Sequence, residues 1–155
     1  MNKFLGIEIT HNKDSSFEMS QPFLIDGILS LLGLGDNEFD TSTTTPVAKG
    51  LIHRDMAGKP CKLSWKYRTA VGMMSYLQVH TRPDISMPVH QTSRFCNNPM
   101  LCHEKAVMMI GRYLLGTKTR CIIYKPDKSR GLECYVDADL AGGWTQADAD
   151  NASYC

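Results

Sequence analysis

Between Ser64 and Gly116 the chain divides into three successive runs that each open on a residue suited to starting a helix, and in the first and last of them apolar residues recur three and four positions apart. This periodicity constrains the fold most, because a half-buried strand repeats every second residue instead. In WKYRTAVGMMSYLQVH, Tyr67, Val71, Met74 and Leu77 or Gln78 share one face, so a helix is expected from Ser64. TRPDI follows. Pro83 suits the first turn of a helix reaching about Cys96, and Pro88 inside it should delete one backbone hydrogen bond and bend the axis. After Asn98 and Pro99, Val107, Ile110, Gly111 and Leu114 form another stripe, ending near Gly116. An earlier stripe of Leu24, Ile28, Leu31 and Leu32 runs through PFLIDGILSLLG. Ser20 is placed to cap it, Pro22 lies near its first turn, and Gly33 and Gly35 are stop signals.

Around these runs the period changes to two. FLGIEI (4–9) and SFEMSQ (16–21) alternate on either side of the polar stretch HNKDS, which predicts a hairpin. CIIYK (121–125) and LECYVD (132–137), joined by PDKSRG, predict a second hairpin. From Asp36 to about Leu63 the chain turns to Asp, Thr, Gly, Pro and Lys, and TSTTTP favours extended backbone before Pro46. The expected class is α+β: an N-terminal β-hairpin, an exposed connection, about four helices and a C-terminal β-hairpin. The stretches divide at 1–35, 36–63, 64–118 and 119–155. With 155 residues and 43% hydrophobic content, one packed core is affordable.

Charge is balanced overall at +1 but split locally. From Lys105 to Arg130 there are seven basic residues against the single acid Asp127, whereas residues 131–155 carry five acids and no Lys or Arg. Lys105, Arg112, Lys118 and Arg120 could therefore track phosphates, with Tyr113 and Tyr124 available to stack on bases; as a charge run alone they read as a solvated face. Six cysteines are scattered without a CxxC pair, which points to reduced thiols in an intracellular protein. Cys96, Cys102 and His103 lack zinc spacing and a fourth partner, so the two cysteines read as reduced core thiols. No window approaches the roughly 20 apolar residues needed to cross a bilayer, so no membrane contact is expected.

Two sets of polar residues invite a chemical reading. His80, Arg82 and Asp84 flank Pro83, yet no nucleophile accompanies them, which favours helix capping and a surface salt bridge over acid–base work. In YVDADLAGGW, Asp137 and Asp139 should share a side of a strand that ends in a glycine-rich turn. Paired carboxylates suit a hard cation such as magnesium, but aspartate is also common at strand ends for turn reasons alone. Residue chemistry by itself favours the acidic turn. A complete small metal nuclease would need Glu133, Asp148 and Asp150 to gather near Asp137.

FLGIEI, EMSQPFLIDGIL, TPVAKGL, YRTAVGMMSYLQVHTRPDI, SRFCNNPMLCHEKAVMMIGRYLLGT and YVDADLAGGW stand in the order and spacing of the Ty1/copia class of retrotransposon polyproteins. The resemblance covers about residues 3–150. It implies the C-terminal part of a reverse transcriptase: the last palm hairpin and thumb start (1–35), the thumb and connection region (64–118), and a truncated ribonuclease H start (119–155). It also implies that Leu5, Gly6 and Ile7 lie in a hairpin gripping the primer backbone, with Gly6 allowing close approach within a β run. Asp137 matches the first ribonuclease H metal ligand, and Asp139 the second acid of the family's DAD, a weaker ligand. Leu140 replaces the usual tryptophan, and Gly143 a common acid.

The polymerase centre of such enzymes needs two adjacent aspartates, and no Asp-Asp pair occurs in these 155 residues. The resemblance therefore implies Mg2+ in the intact enzyme and none held by this chain alone. The expected partners are an RNA–DNA hybrid or template–primer duplex and the remainder of the polyprotein, in the cytoplasm (virus-like particle) or nucleus. The alternative is a non-enzymatic helical interaction module derived from a transposable element.

Overall fold

The computed structural model describes residues 2–35, 41–47, 52, 54–55, 58–61, 65–127, 129, 131 and 134. Four short strands form one antiparallel sheet: β1 (Asn2–Phe4), β2 (Ile7–His11), β3 (Phe17–Ser20) and β4 (Ile122–Tyr124), in spatial order β1-β2-β3-β4. Four helices make up the rest of the described core: α1 (Pro22–Leu32), α2 (Tyr67–His80), α3 (Ser86–Ser93) and α4 (Leu101–Gly116). The α+β class is as expected from the change of hydrophobic period.

The predicted hairpin across HNKDS forms as β2 against β3, and a tighter one that the sequence pattern does not predict precedes it. FLGIEI is two strands and a turn, because Leu5 (φ 49°) and Gly6 (φ 78°) both adopt left-handed backbone between β1 and β2. Two successive positive-φ residues are the signature of a hairpin turn whose twist matches its strands. Gly6 thus supplies φ freedom at a turn and is not a glycine inside a strand; nothing lies within 4 Å of where its Cβ would stand. Leu5 is the costlier member, since a left-handed leucine is disfavoured by roughly 1–2 kcal/mol. The register sets Phe4, Ile7, Ile9, His11, Phe17, Met19, Ile122 and Tyr124 on one face of the sheet. Lys3 and Glu8, partners on the other face, form an ion pair at 3.1 Å.

β4 pairs with β3, with Tyr124 opposite Phe17 and Ile122 opposite Met19, so the chain returns to its own N-terminal sheet. The pairing predicted for this run, with LECYVD, lies outside the described residues. Lys125 ties the joint down from beyond β4 by reaching Asp14 in the β2–β3 turn at 3.1 Å.

Helix boundaries follow local chemistry. Ser20 ends β3 and does not cap α1; Gln21 occupies the cap position, and Pro22 enters the first turn, where its missing N–H costs nothing. At the other end Gly33 is left-handed (φ 69°), its N–H bonding to Ser30 O and that of Leu34 to Leu29 O, a Schellman closure that buries Leu34 against the core. α2 starts at Tyr67 and not at Ser64. The helix expected from Pro83 is divided: a 3-10 turn (Pro83–Ile85) precedes α3. This division places Pro88 third in α3, a position whose N–H has no helical acceptor to lose.

α1 and α3 each pack against both α2 and α4, so α2 and α4 occupy opposite corners. Ile28, Met74, Leu77, Ile110 and Leu114 meet in the centre, fully buried. Each contributes roughly 1.5–3 kcal/mol of burial. Gly111 lets the end of α1 approach α4: a Cβ there would stand 2.5 Å from Leu32 Cδ1 and 2.8 Å from Leu34 Cδ1.

Candidate nucleic-acid interface

The residues expected to contact nucleic acid fall into two groups. Leu5 and Gly6 form the β1–β2 tip, with Ile7 buried just behind it. Phe4 and Leu5 are 65% and 68% exposed, so the tip projects apolar side chains into solvent. The Leu5 carbonyl accepts a hydrogen bond from the Tyr76 hydroxyl of α2 at 2.8 Å. The Tyr76 ring in turn lies 4.2 Å from that of His80, centroid to centroid. On the α1 side, Lys3 Nζ sits 4.1 Å above the ring of exposed Phe23. The turn is therefore flanked by aromatic rings and a lysine.

The second group is on α4 and just past it. Lys105 and Arg112 are exposed and seven residues apart, two helical turns, so they share a face. The stretch 41–47 lies alongside: the Thr43 N–H bonds to Arg112 O at 3.4 Å. Lys118 is exposed but paired with Asp26 at 2.5 Å. Arg120 donates to the Tyr113 hydroxyl at 2.8 Å and stacks over its ring. These last two cations thus have protein partners that the charge run did not reveal. The tip rests against α2, whereas Lys105 and Arg112 belong to α4.

The polar residues around Pro83 do not form a surface pair. Arg82 is only 2% exposed. Its guanidinium donates through Nε to Asp84 Oδ1 (2.9 Å) and through Nη2 to Asp84 Oδ2 (2.8 Å). It also reaches Thr117 O (3.0 Å) and Thr117 Oγ1 (2.7 Å) at the end of α4. The Tyr113 hydroxyl donates to Asp84 Oδ2 at 2.7 Å. Burial pushes the Asp84 carboxyl up, but the hydrogen bonds from Arg82 and Tyr113 outweigh it and hold the group below its usual range. Burial and Asp84 push the Tyr113 phenol up. Tyr113 is buried and cannot stack on a base, whereas Tyr124 is exposed. Beside this cluster, Thr81 Oγ1 donates to Gln21 Oε1 at 2.9 Å, linking the start of α1 to the end of α2. Arg82 thus joins α2, α3 and α4 as a structural residue.

His103 is fully buried; its Nδ1 accepts the Met100 N–H at 2.9 Å and its ring stacks on Phe95, which makes it a helix cap. Cys102, expected in the core, is exposed and near Asp55 Oδ2 at 3.7 Å; burial and that carboxylate raise its thiol pKa. Cys96 is half-buried, and burial raises its pKa. Asp137 and Asp139, the candidate metal-site acids, lie outside the described residues, as do Glu133, Asp148 and Asp150. Among the described residues no group of three or more His, Cys, Asp or Glu could hold a metal ion, and no helix is long and apolar enough to cross a membrane.

The chain is similar to three curated transposon proteins. It is 32% identical to the retrovirus-related Pol polyprotein from transposon TNT 1-94 of Nicotiana tabacum, over 96% of this chain and 11% of that protein. It is 34% identical to the retrovirus-related Pol polyprotein from transposon RE1 of Arabidopsis thaliana, over 92% of this chain and 9% of that protein. A Ty5-1 transposon protein of Saccharomyces cerevisiae is 28% identical over 89% of this chain and 44% of its own length. The chain thus spans about a tenth of the two plant polyproteins. No protein-family model matches it, and no solved structure does.

Proposed function

The chain is related to the Pol polyproteins of copia-type retrotransposons, and on that premise we propose that it is part of their RNA-directed DNA polymerase and ribonuclease H, serving to position the template–primer duplex. The observation that carries this reading is the β1–β2 tip, an exposed turn at the place in the order of motifs where such enzymes hold the primer. Lys105 and Arg112, exposed on one face of α4, supply a second contact to phosphates. The nucleotidyl chemistry belongs to carboxylate clusters elsewhere in the polyprotein, where Mg2+ is held; Asp137 contributes a first nuclease ligand and Asp139 a weaker neighbour. By this reading the isolated chain turns over no substrate, and its intact parent acts in the cytoplasm or nucleus.

The test is a titration of the full chain with a fluorescent RNA–DNA hybrid at several salt concentrations. The expected result is binding that weakens steeply with salt, with Lys105→Ala and Arg112→Ala each reducing the slope of log affinity against log salt by about 1. Salt-insensitive or absent binding would support the other reading, a helical interaction module that contacts protein. Primer extension or hybrid cleavage that persists in Asp137→Ala would place chemistry in this chain and overturn the proposal.

A further inference from the structure

The β1–β2 tip is held in place in an unusual way. Its own side chains do not anchor it: Phe4 and Leu5 point into solvent. Leu5 and Gly6 are both left-handed, so the peptide between them has its orientation set by the turn, and the Leu5 carbonyl faces α2. Tyr76 meets that carbonyl with its hydroxyl at 2.8 Å, across 71 positions of sequence. The ring that carries the hydroxyl stands on a helix and lies 4.2 Å from the ring of His80, which is itself tethered by Nδ1 to the Tyr76 backbone carbonyl at 2.8 Å.

We propose that Tyr76 is a positioning residue whose hydroxyl sets where the β1–β2 tip stands relative to α2, and so where the tip meets a nucleic-acid backbone. The second half rests on the function proposed above. β1 is a three-residue edge strand, so sheet pairing by itself holds the tip only weakly. Tying its carbonyl to a rigid helix holds the turn in one place before any partner arrives, which lowers the ordering cost of binding. Tyr76 lies off the buried stripe of α2 and needs no hydroxyl for packing, so its removal separates positioning from folding.

The experiment compares the full-length chain with its Tyr76→Phe variant by 15N–1H NMR and by hybrid binding. Tyr113→Phe, which deletes a hydroxyl from the buried cluster, is the comparator. The Gly6 amide reports directly, because it belongs to the same peptide as the Leu5 carbonyl. The expected result in Tyr76→Phe is a shifted Gly6 15N resonance, lower order at Leu5 and Gly6, unchanged Ile28 and Val107 signals, and a loss of affinity of roughly three- to tenfold. In Tyr113→Phe the Gly6 signal should not move. An unchanged Gly6 resonance and order in Tyr76→Phe overturns the latch. A shifted Gly6 with unchanged affinity overturns the positioning role. If the wild-type chain binds no hybrid while Gly6 still responds, the latch stands and the nucleic-acid reading falls.

Discussion

Replacing Arg82 by methionine keeps an unbranched chain in the same space while deleting the guanidinium. Five hydrogen bonds are lost: three to the carboxylate of Asp84 and two to the carbonyl and hydroxyl of Thr117. Breaking a buried ion pair from one side costs roughly 3–5 kcal/mol, because the abandoned charge stays behind. The Asp84 side chain is one-third exposed, so water can take over part of its solvation, and the lower end applies. Thr117 stays buried, and its carbonyl loses its arginine donor. The sum is about 3 kcal/mol, or a fall in Tm of roughly 6–12 °C for a chain of this length.

The double variant carries the sharper information. Asp84→Asn removes the charge that Arg82→Met strands, so the two losses should not add, and a coupling of about 1–2 kcal/mol is expected from the four-member cycle. Urea unfolding followed by circular dichroism measures all four proteins. A loss below about 1 kcal/mol for Arg82→Met, or strict additivity in the double variant, would refute the claim that this arginine joins the helices as a buried charge.

Two further outcomes follow from packing and titration. Gly111→Ala forces a methyl against Leu32 and Leu34, and the overpacking, about 1–3 kcal/mol, should outweigh the roughly 1 kcal/mol gained in helix propensity; a variant more stable than the parent in urea would contradict this. Hydrogen bonds from Ser16 and then Lys125 hold the Asp14 carboxyl down at about 2. A carboxyl depressed in the folded state stabilises above its unfolded pKa and loses that contribution as pH falls through the folded one. Acid titration of Asp14→Asn should therefore lose less stability between about pH 4 and pH 2 than the parent does, and an unchanged slope would contradict the turn geometry.

The helices were legible because their buried positions repeat at helical spacing: Tyr67, Val71, Met74 and Leu77 are all buried, as are Val107, Ile110, Gly111 and Leu114. Boundaries were less legible. Ser20 is a good cap by type, but sheet pairing with Glu8 claims it for β3. FLGIEI reads as unbroken alternation, and only the adjacent left-handed residues reveal a turn. Arg82 was misread because charged residues are seldom fully buried without partners, and its partner Thr117 lies 35 positions away, beyond any local pattern. Lys118 and Arg120 likewise looked available as part of a charge run, while tertiary contacts give them Asp26 and Tyr113. Tyr76 had no signal at all, since its role depends on a hairpin that the sequence reading did not place against α2.

The most direct test of the central claim places a photoreactive phenylalanine at position 5 and irradiates the chain with a primer–template whose primer strand is labelled. The account predicts a cross-link to the primer strand within a few nucleotides of its 3′ end, absent from the same probe at Asp14 on the neighbouring turn. Equal cross-linking from both positions, or none from position 5, would contradict it.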